Sequence, residues 1–295
     1  MKTLRFIAIA TISAAVSIAC SKTDGGDTTK DQEPAVEMDV LPTDPQPENL
    51  EFNHRMLLVQ HTGTACPICP YMTNALKLLL EDNEQNKKFN LVASHGGYYA
   101  KNDPCRSDDA DFFTASVGVN AWPTVTFNLT TTQEGAYTDA EYTKQEIVEK
   151  MNGFALDPCP AGICATSKIN DATIDVTIGI KPAVDGAYRV AAWLLEDGVY
   201  GKQSGAREDW HNTHNNVLRA AAGKVSNVNF SGEKVDGTEI GKTSAKAFSI
   251  PFESTWDISN CKVLVFVTMR NDDGKYDIVN TALCPIEGSV AYEYI

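Results

Sequence analysis

The chain has 295 residues, 43% of them hydrophobic and 22% charged, which is enough for about two ordinary domains and far from the composition of a wholly disordered protein. Its 25 basic and 39 acidic residues give a net charge of -14, which repels nucleic acid and anionic headgroups and excludes a polyanion-binding role. Eight cysteines are too sparse for a small disulfide-stapled scaffold and more than a cytosolic enzyme needs, so the sequence points to an exported protein.

Lys2 and Arg5 precede an apolar run from Phe6 to Ala19 that is shorter than the ~20 residues of a membrane-spanning helix, the pattern of a signal peptide over residues 1–19. Ser17 and Ala19 before Cys20 resemble a bacterial lipobox, which implies diacylglycerol on the Cys20 sulfur. An ordinary signal peptide cut near Ala19 is the alternative. Ser21, in place of Asp, resembles the sorting signal for the outer membrane, at its periplasmic face or on the cell surface. From Ser21 to Leu50 eight acids stand against two lysines, with Pro34, Pro42, Pro45 and Pro47 among them. The expectation for residues 20–50 is a lipidated cysteine followed by a disordered acidic tether.

Met56 to His61 has strand length and composition, and Thr62-Gly63-Thr64-Ala65 ends it before Cys66-Pro67-Ile68-Cys69. Met72, Ala75, Leu76, Leu79 and Leu80 then recur on one helical face. In this context Cys66 is expected in the first turn of a helix, where unpaired backbone N–H groups favour a thiolate, with Pro67 at the first helical position and Pro70 less well accommodated. Cys69 would resolve a mixed disulfide formed at Cys66. Phe89–Ser94 reads as a strand, Ser107 as the cap of a short helix, and Pro123 as the mouth of a strand over Thr124–Phe127, often a cis position. Thr138 with Glu141 reads as a capping box before a last helix carrying Ile147, Val148 and Met151.

Strand, CxxC, helix, strand, Pro-led strand and helix resemble the thioredoxin fold over residues 51–155. The resemblance implies catalytic roles for Cys66 and Cys69, with Pro123 and Trp122 holding an extended partner strand. One position departs from it: where thioredoxins carry a buried acid, this chain has Gln60, and the adjacent His61 is read as a packed strand residue on the opposite face. A structural disulfide has the same spacing as a redox pair. Zinc would need two more ligands, for which Cys159 and Cys164 are the candidates, and an oxidising envelope disfavours such a site; no metal and no cofactor are assigned.

Beyond Leu156 the pattern has period two, through Ile174–Ile180, Tyr188–Leu194, Phe248–Phe252 and Val263–Met269, with Asp-Gly turns at Asp185, Asp197 and Asp273. Residues 156–295 are therefore expected to form an all-β, immunoglobulin-like antiparallel sandwich behind the α/β domain. A polar insertion from Glu208 to Ala221 is the candidate binding loop, through Trp210, His211, His214 and Arg219. A metal shared by His211 and His214 with Glu208 or Asp209 is the less favoured reading.

Thr62, Gly63, Cys66, Cys69 and Pro70, the later His214, Asn215, Val217, Leu218 and Arg219, and the lipobox together resemble the outer-membrane-protein-28-related lipoproteins of Bacteroides-type bacteria. The resemblance implies an outer-membrane address. Two functions stand open: thiol-disulfide exchange with envelope proteins, or surface adhesion and receptor-type binding to a ligand, with the membrane reached only through the N-terminal lipid. With Cys20 committed to lipid, Cys261 and Cys284 bracket a hairpin and are expected to pair, as are Cys159 and Cys164; Cys105 is left over.

Overall fold

Met56–Thr62 forms β1, and every residue of it is buried, because both of its faces are covered. The computed structural model describes residues 36–223 and 230–295; the signal peptide and Cys20 lie outside the described residues. In chain order follow α1 (Cys69–Glu81), β2 (Phe89–His95), α2 (Asp108–Ser116), β3 (Thr124–Phe127), β4 (Thr131–Glu134) and α3 (Ala140–Asn152). The second half supplies β5 (Ala161–Asn170), β6 (Thr173–Pro182), β7 (Tyr188–Glu196), β8 (Val199–Tyr200), β9 (Thr213–His214), β10 (Val217–Ala222), β11 (Glu233–Lys234), β12 (Ser244–Pro251), β13 (Cys261–Arg270), β14 (Tyr276–Pro285) and β15 (Gly288–Val290). Among the described residues no helix is long and apolar enough to cross a membrane.

The expected α/β thioredoxin-like domain followed by a separate immunoglobulin-like sandwich is not what the chain forms. Strands from both halves join one mixed sheet of nine, in the order β14-β13-β7-β10-β2-β1-β3-β4, with β11 also on β7. The seam is β10, which runs antiparallel to β7 and meets β2 in parallel at Val217 and Ala93. A second sheet, β12-β6-β5-β15, has four strands. The architecture is mostly β, with three α-helices among the described residues.

The large sheet has one face shared by both halves. Leu57 and Val59 of β1 and Ala191, Trp193 and Leu195 of β7 point to it and pack under Phe113 of α2, with the Trp193 ring 5.0 Å from Phe113 and 5.3 Å from Phe266. On the opposite face Met56 and Leu58 pack against Met72, Leu76, Ile147 and Met151 of α1 and α3. Further along that face, Val190, Ala192 and Leu194 meet Val176, Ile178 and Ile180 of the four-stranded sheet. A strand buried on both sides by different partners is how one sheet serves a helical layer at one end and a sheet layer at the other.

Helix caps explain two local shifts. Ser107 caps α2 as expected, accepting from the Ala110 N–H at 3.1 Å. At α3 the cap is Asp139, not Thr138, since its carboxylate accepts from the N–H groups of Glu141 and Tyr142.

The acidic segment before Leu50 is ordered from Val36 onward, where a disordered tether was expected. Asp39 N–H donates to Thr177 Oγ1 at 2.8 Å and Thr166 Oγ1 to the Val40 carbonyl at 3.0 Å. Lys181, its side chain 1% exposed, holds Asp44 Oδ2 at 2.9 Å and the carbonyls of Gln46 and Pro47 at 3.2 and 2.6 Å. Composition alone gave no sign of this buried ammonium, which supplies a fixed cation to an otherwise self-repelling acidic segment. Replacing Lys181 by Met is expected to weaken amide-exchange protection across residues 39–50 by about 1–3 kcal/mol while leaving the main unfolding transition nearly in place; hydrogen exchange read by mass spectrometry measures both.

Cys159, Cys164, Cys261 and Cys284 are buried thiols, not the two bridges expected. β13 and β14 do form a hairpin, but its register sets Cys284 opposite Val263, and Cys261 lies beside Glu196 of β7. In the register next to the turn Cys261 would already face Pro285, and the slip between Val267 and Thr268 moves it one residue further from Cys284. Cys159 Sγ is occupied by the Ala161 and Val279 carbonyls, and Cys164 stands in the strand opposite Gly179. Burial pushes the Cys159 and Cys164 thiols up to about 11, so they pack as small hydrophobes.

Candidate functional site

The chain leaves β1 through Gly63, where an added Cβ would lie 2.6 Å from the Tyr99 carbonyl; this contact forces the tight turn that delivers the CxxC. Ala65 N–H donates to the Tyr99 carbonyl and Cys66 N–H to that of Gly63. Cys66 and Cys69 are joined in a disulfide, S–S 2.13 Å and Cα–Cα 5.5 Å. Helix α1 begins at Cys69 with Ile68 as its N-cap. Cys66 therefore precedes the helix, contrary to expectation, and Cys69 takes the first-turn position. Pro70, rather than Pro67, occupies the first turn and forfeits no intrahelical bond there.

Both cysteines are 0% exposed. Their cover comes from the second half of the chain, in the strap between β8 and β9. Gln203 Nε2 donates to the Cys66 carbonyl at 2.8 Å and to that of Gly63 at 3.3 Å. The Ser204 N–H donates to the Thr64 carbonyl at 2.7 Å. Gly205, at φ +71, approaches so closely that a Cβ would sit 2.0 Å from the Pro67 oxygen, which makes it a glycine-only contact.

Of the candidate residues on the insertion, His211 and Arg219 are buried and Trp210 and His214 half-buried, while Glu208, Asp209, Thr213 and Asn215 are exposed. His211 is buried, takes the Glu208 N–H on Nδ1 and donates from Nε2 to Asn74 Oδ1 of α1 at 2.9 Å. Trp210 stacks on His211 at 4.1 Å, with the Lys77 ammonium 5.6 Å from its ring, and Arg207 lies over Tyr71 at 4.8 Å. Arg219 is buried in an ion pair with Glu196 at 2.6 Å. His211 has spent both nitrogens, so the metal with Glu208 or Asp209 has no ligand there. His214 lies on β9, just past the strap, with Nε2 3.0 Å from the Gly201 carbonyl at the strap's start.

Neither Gln60 nor His61 stands in for the missing acid. Gln60 is buried and donates to Thr73 Oγ1 at 2.9 Å. His61 points to the other face, between Thr114 and Thr126, and burial pulls its pKa down to about 3, so it is neutral and remote from proton transfer to the sulfurs. Pro123 is buried at the mouth of β3 after a cis peptide from Trp122. Trp122 packs edge-on to Tyr99 at 5.8 Å, and Tyr99 to Tyr98 at 4.9 Å; Tyr98 is 79% exposed. These rings border a groove lined by Ala65, Gly97, Tyr98, Tyr99, Lys101 and Arg106.

The family described as outer membrane protein Omp28 matches residues 110–283, well over half of the chain. The chain belongs to the Omp28 family. It is accordingly an outer-membrane-associated protein. The Omp28 match takes in Trp122, Pro123, the strap and Arg219 but begins after Cys66 and Cys69, so membership does not speak for the disulfide. A solved structure, HBP35 of Porphyromonas gingivalis, is similar with a TM-score of 0.59 at 17% identity, covering 80% of this chain and 76% of that one. At that identity the likeness concerns the fold alone. No curated protein matches the chain.

Gln203 and Gly205 escaped the reading of the sequence. The glycines at 201 and 205 flanking a polar run were a signal of a close-packed loop, but nothing local named the CxxC as what it packs on.

Proposed function

We propose that this outer-membrane-associated protein is a lipid-anchored, non-enzymatic binding protein of the cell envelope, and that its Cys66–Cys69 disulfide is a covered cross-link rather than an open exchange centre. Anchoring rests on the Lys2 and Arg5 leader and the lipobox-like residues before Cys20. The observation that carries the rest is the burial of both cysteines under Gln203 and Gly205. An exchange centre needs an attackable sulfur and a proton donor or acceptor for the resolving thiol; here one is enclosed and the other is replaced by Gln60. Exchange would require the strap to lift, which costs the hydrogen bonds at Thr64, Gly63 and Cys66.

The folded chain is expected to be inert as an insulin-disulfide reductant, and its Cys66–Cys69 bond to yield to dithiothreitol about 10-fold or more slowly than in the denatured chain. Gly205→Val, which forces the strap off Pro67, should raise the native rate toward the denatured one. Alkylation and mass spectrometry of the 66–69 peptide follow the reaction. Insulin reduction by the wild-type protein, or native reduction as fast as in the denatured chain, would return the site to thiol-disulfide exchange.

A further inference from the structure

Beside the strap, three residues far apart in sequence bring metal-ligating atoms together. His95 ends β2, Cys105 follows in the loop before α2, and His214 lies on β9; one ligand atom from each lies within 4.8 Å of the others. His95 is 1% exposed and Cys105 0%, and the two imidazoles meet edge to face at 4.8 Å.

The hydrogen bonds around this trio leave one donor nitrogen free on each ring. His95 Nδ1 is 2.7 Å from Asp103 Oδ2; a proton there leaves the Nε2 lone pair bare, and Nε2 is buried with no hydrogen-bond partner among the described residues. His214 Nε2 lies 3.0 Å from the Gly201 carbonyl, which can only accept, so its proton is on Nε2 and Nδ1 keeps the lone pair. Asp103 is itself fixed, accepting from the Thr64 N–H at 2.6 Å and the Cys105 N–H at 2.8 Å. A carboxylate behind a histidine, with the opposite ring nitrogen unpaired in a buried space, is the outer-shell arrangement of protein metal sites.

We infer that His95, Cys105 and His214 form a site for one transition-metal ion of the zinc class, with Asp103 orienting His95. Two imidazoles and a thiolate suit a borderline-soft divalent cation and not magnesium or calcium. Bonds of about 2.0–2.3 Å in a tetrahedron set donors about 3.3–3.7 Å apart, so the trio closes on a metal by side-chain movements on the order of 1 Å. His214 is half-buried, and the fourth position is left to water or an outside donor. Binding displaces the Cys105 thiol proton to solvent and forms the sulfur–metal bond without any change in oxidation state. Because His214 lies on β9, which follows the strap, and the other two residues do not, the ion would fix the strap's C-terminal end independently of the disulfide.

Cobalt(II) titration of the purified full chain, stripped with chelator and kept reduced at Cys105, tests this. The expected result is one cobalt per chain with a thiolate-to-cobalt charge-transfer band, displaced by zinc, abolished in Cys105→Ser and weakened about 10–100-fold in Asp103→Asn. The wild-type spectrum stands without any variant folding: absence of the band overturns the site and leaves a buried water at His95 Nε2. A band that persists in Cys105→Ser overturns it as well, by assigning the metal to another thiol.

Discussion

Replacing Arg219 by Ala is expected to cost about 3–5 kcal/mol of folding stability. The guanidinium and the Glu196 carboxylate are 6% and 7% exposed and 2.6 Å apart. Glu196 also accepts the Asp257 N–H at 2.8 Å, and Arg219 donates to the Pro104 carbonyl at 2.9 Å with the Trp256 ring 5.6 Å away. Removing the cation leaves a buried carboxylate with no counter-charge, which is far more costly than losing a surface pair. The position is structural in a second sense. Arg219 is the residue at which the β10–β7 ladder slips between Leu218 and Ala220, so its side chain reaches the loop that carries Cys105. Urea denaturation measures the loss, and the double variant Arg219→Met with Glu196→Leu should recover most of it. A loss below about 1 kcal/mol for Arg219→Ala would mean the pair is effectively solvated.

Acidification from pH 7 to 4.5 is expected to remove about 5 kcal/mol through His61 and His54 alone, with His214, which burial also pulls down to about 4, adding to it. Burial pulls His61 down to about 3 and His54 down to about 4, against an ordinary value near 6.5. Both take up protons more readily in the unfolded chain. Their contribution is complete above about pH 6.5 and declines as the pH falls toward the folded values, each unit below 6.5 costing about 1.4 kcal/mol per group. His61→Gln, which keeps a partner for Thr114, should remove about a third of the dependence that the three histidines carry together. Denaturation midpoints between pH 7 and 4.5 decide it, and a flat profile in the wild-type protein would show that the imidazoles gain water or partners on protonation.

Local signals placed most elements. Alternation and apolar runs located β1, β2, β6, β7, β12 and β13, and the periodic face from Met72 to Leu79 located α1, because a strand or helix announces which side it buries within a few residues. Ser107 and the Asp-Gly turns were legible for the same reason. The register of the β13–β14 hairpin was not, since a one-residue slip inside the ladder leaves no mark in the composition. Together with a one-residue offset at the turn itself, that slip sets Cys261 two positions out of register with Cys284.

The exported, acidic, cysteine-bearing character of the chain, the CxxC between a strand and a helix, and the presence of two textures along its length all follow from residue order alone. Their union into one sheet does not. It depends on β10 finding β2 as well as β7, a pairing of Val217 with Ala93 across more than a hundred residues, and no short-range preference encodes such a partner. The same holds for the chemistry. Cys66 and Cys69 read as an exchange centre because an isolated CxxC beside a helix is exposed and activated. The strap from Gly201 to Arg207 encloses them through contacts that only the assembled sheet brings within reach. Cys105, the odd thiol of the sequence, acquires neighbours in His95 and His214 for the same physical reason: ligand geometry is a property of the tertiary structure, where distance along the chain no longer separates its parts.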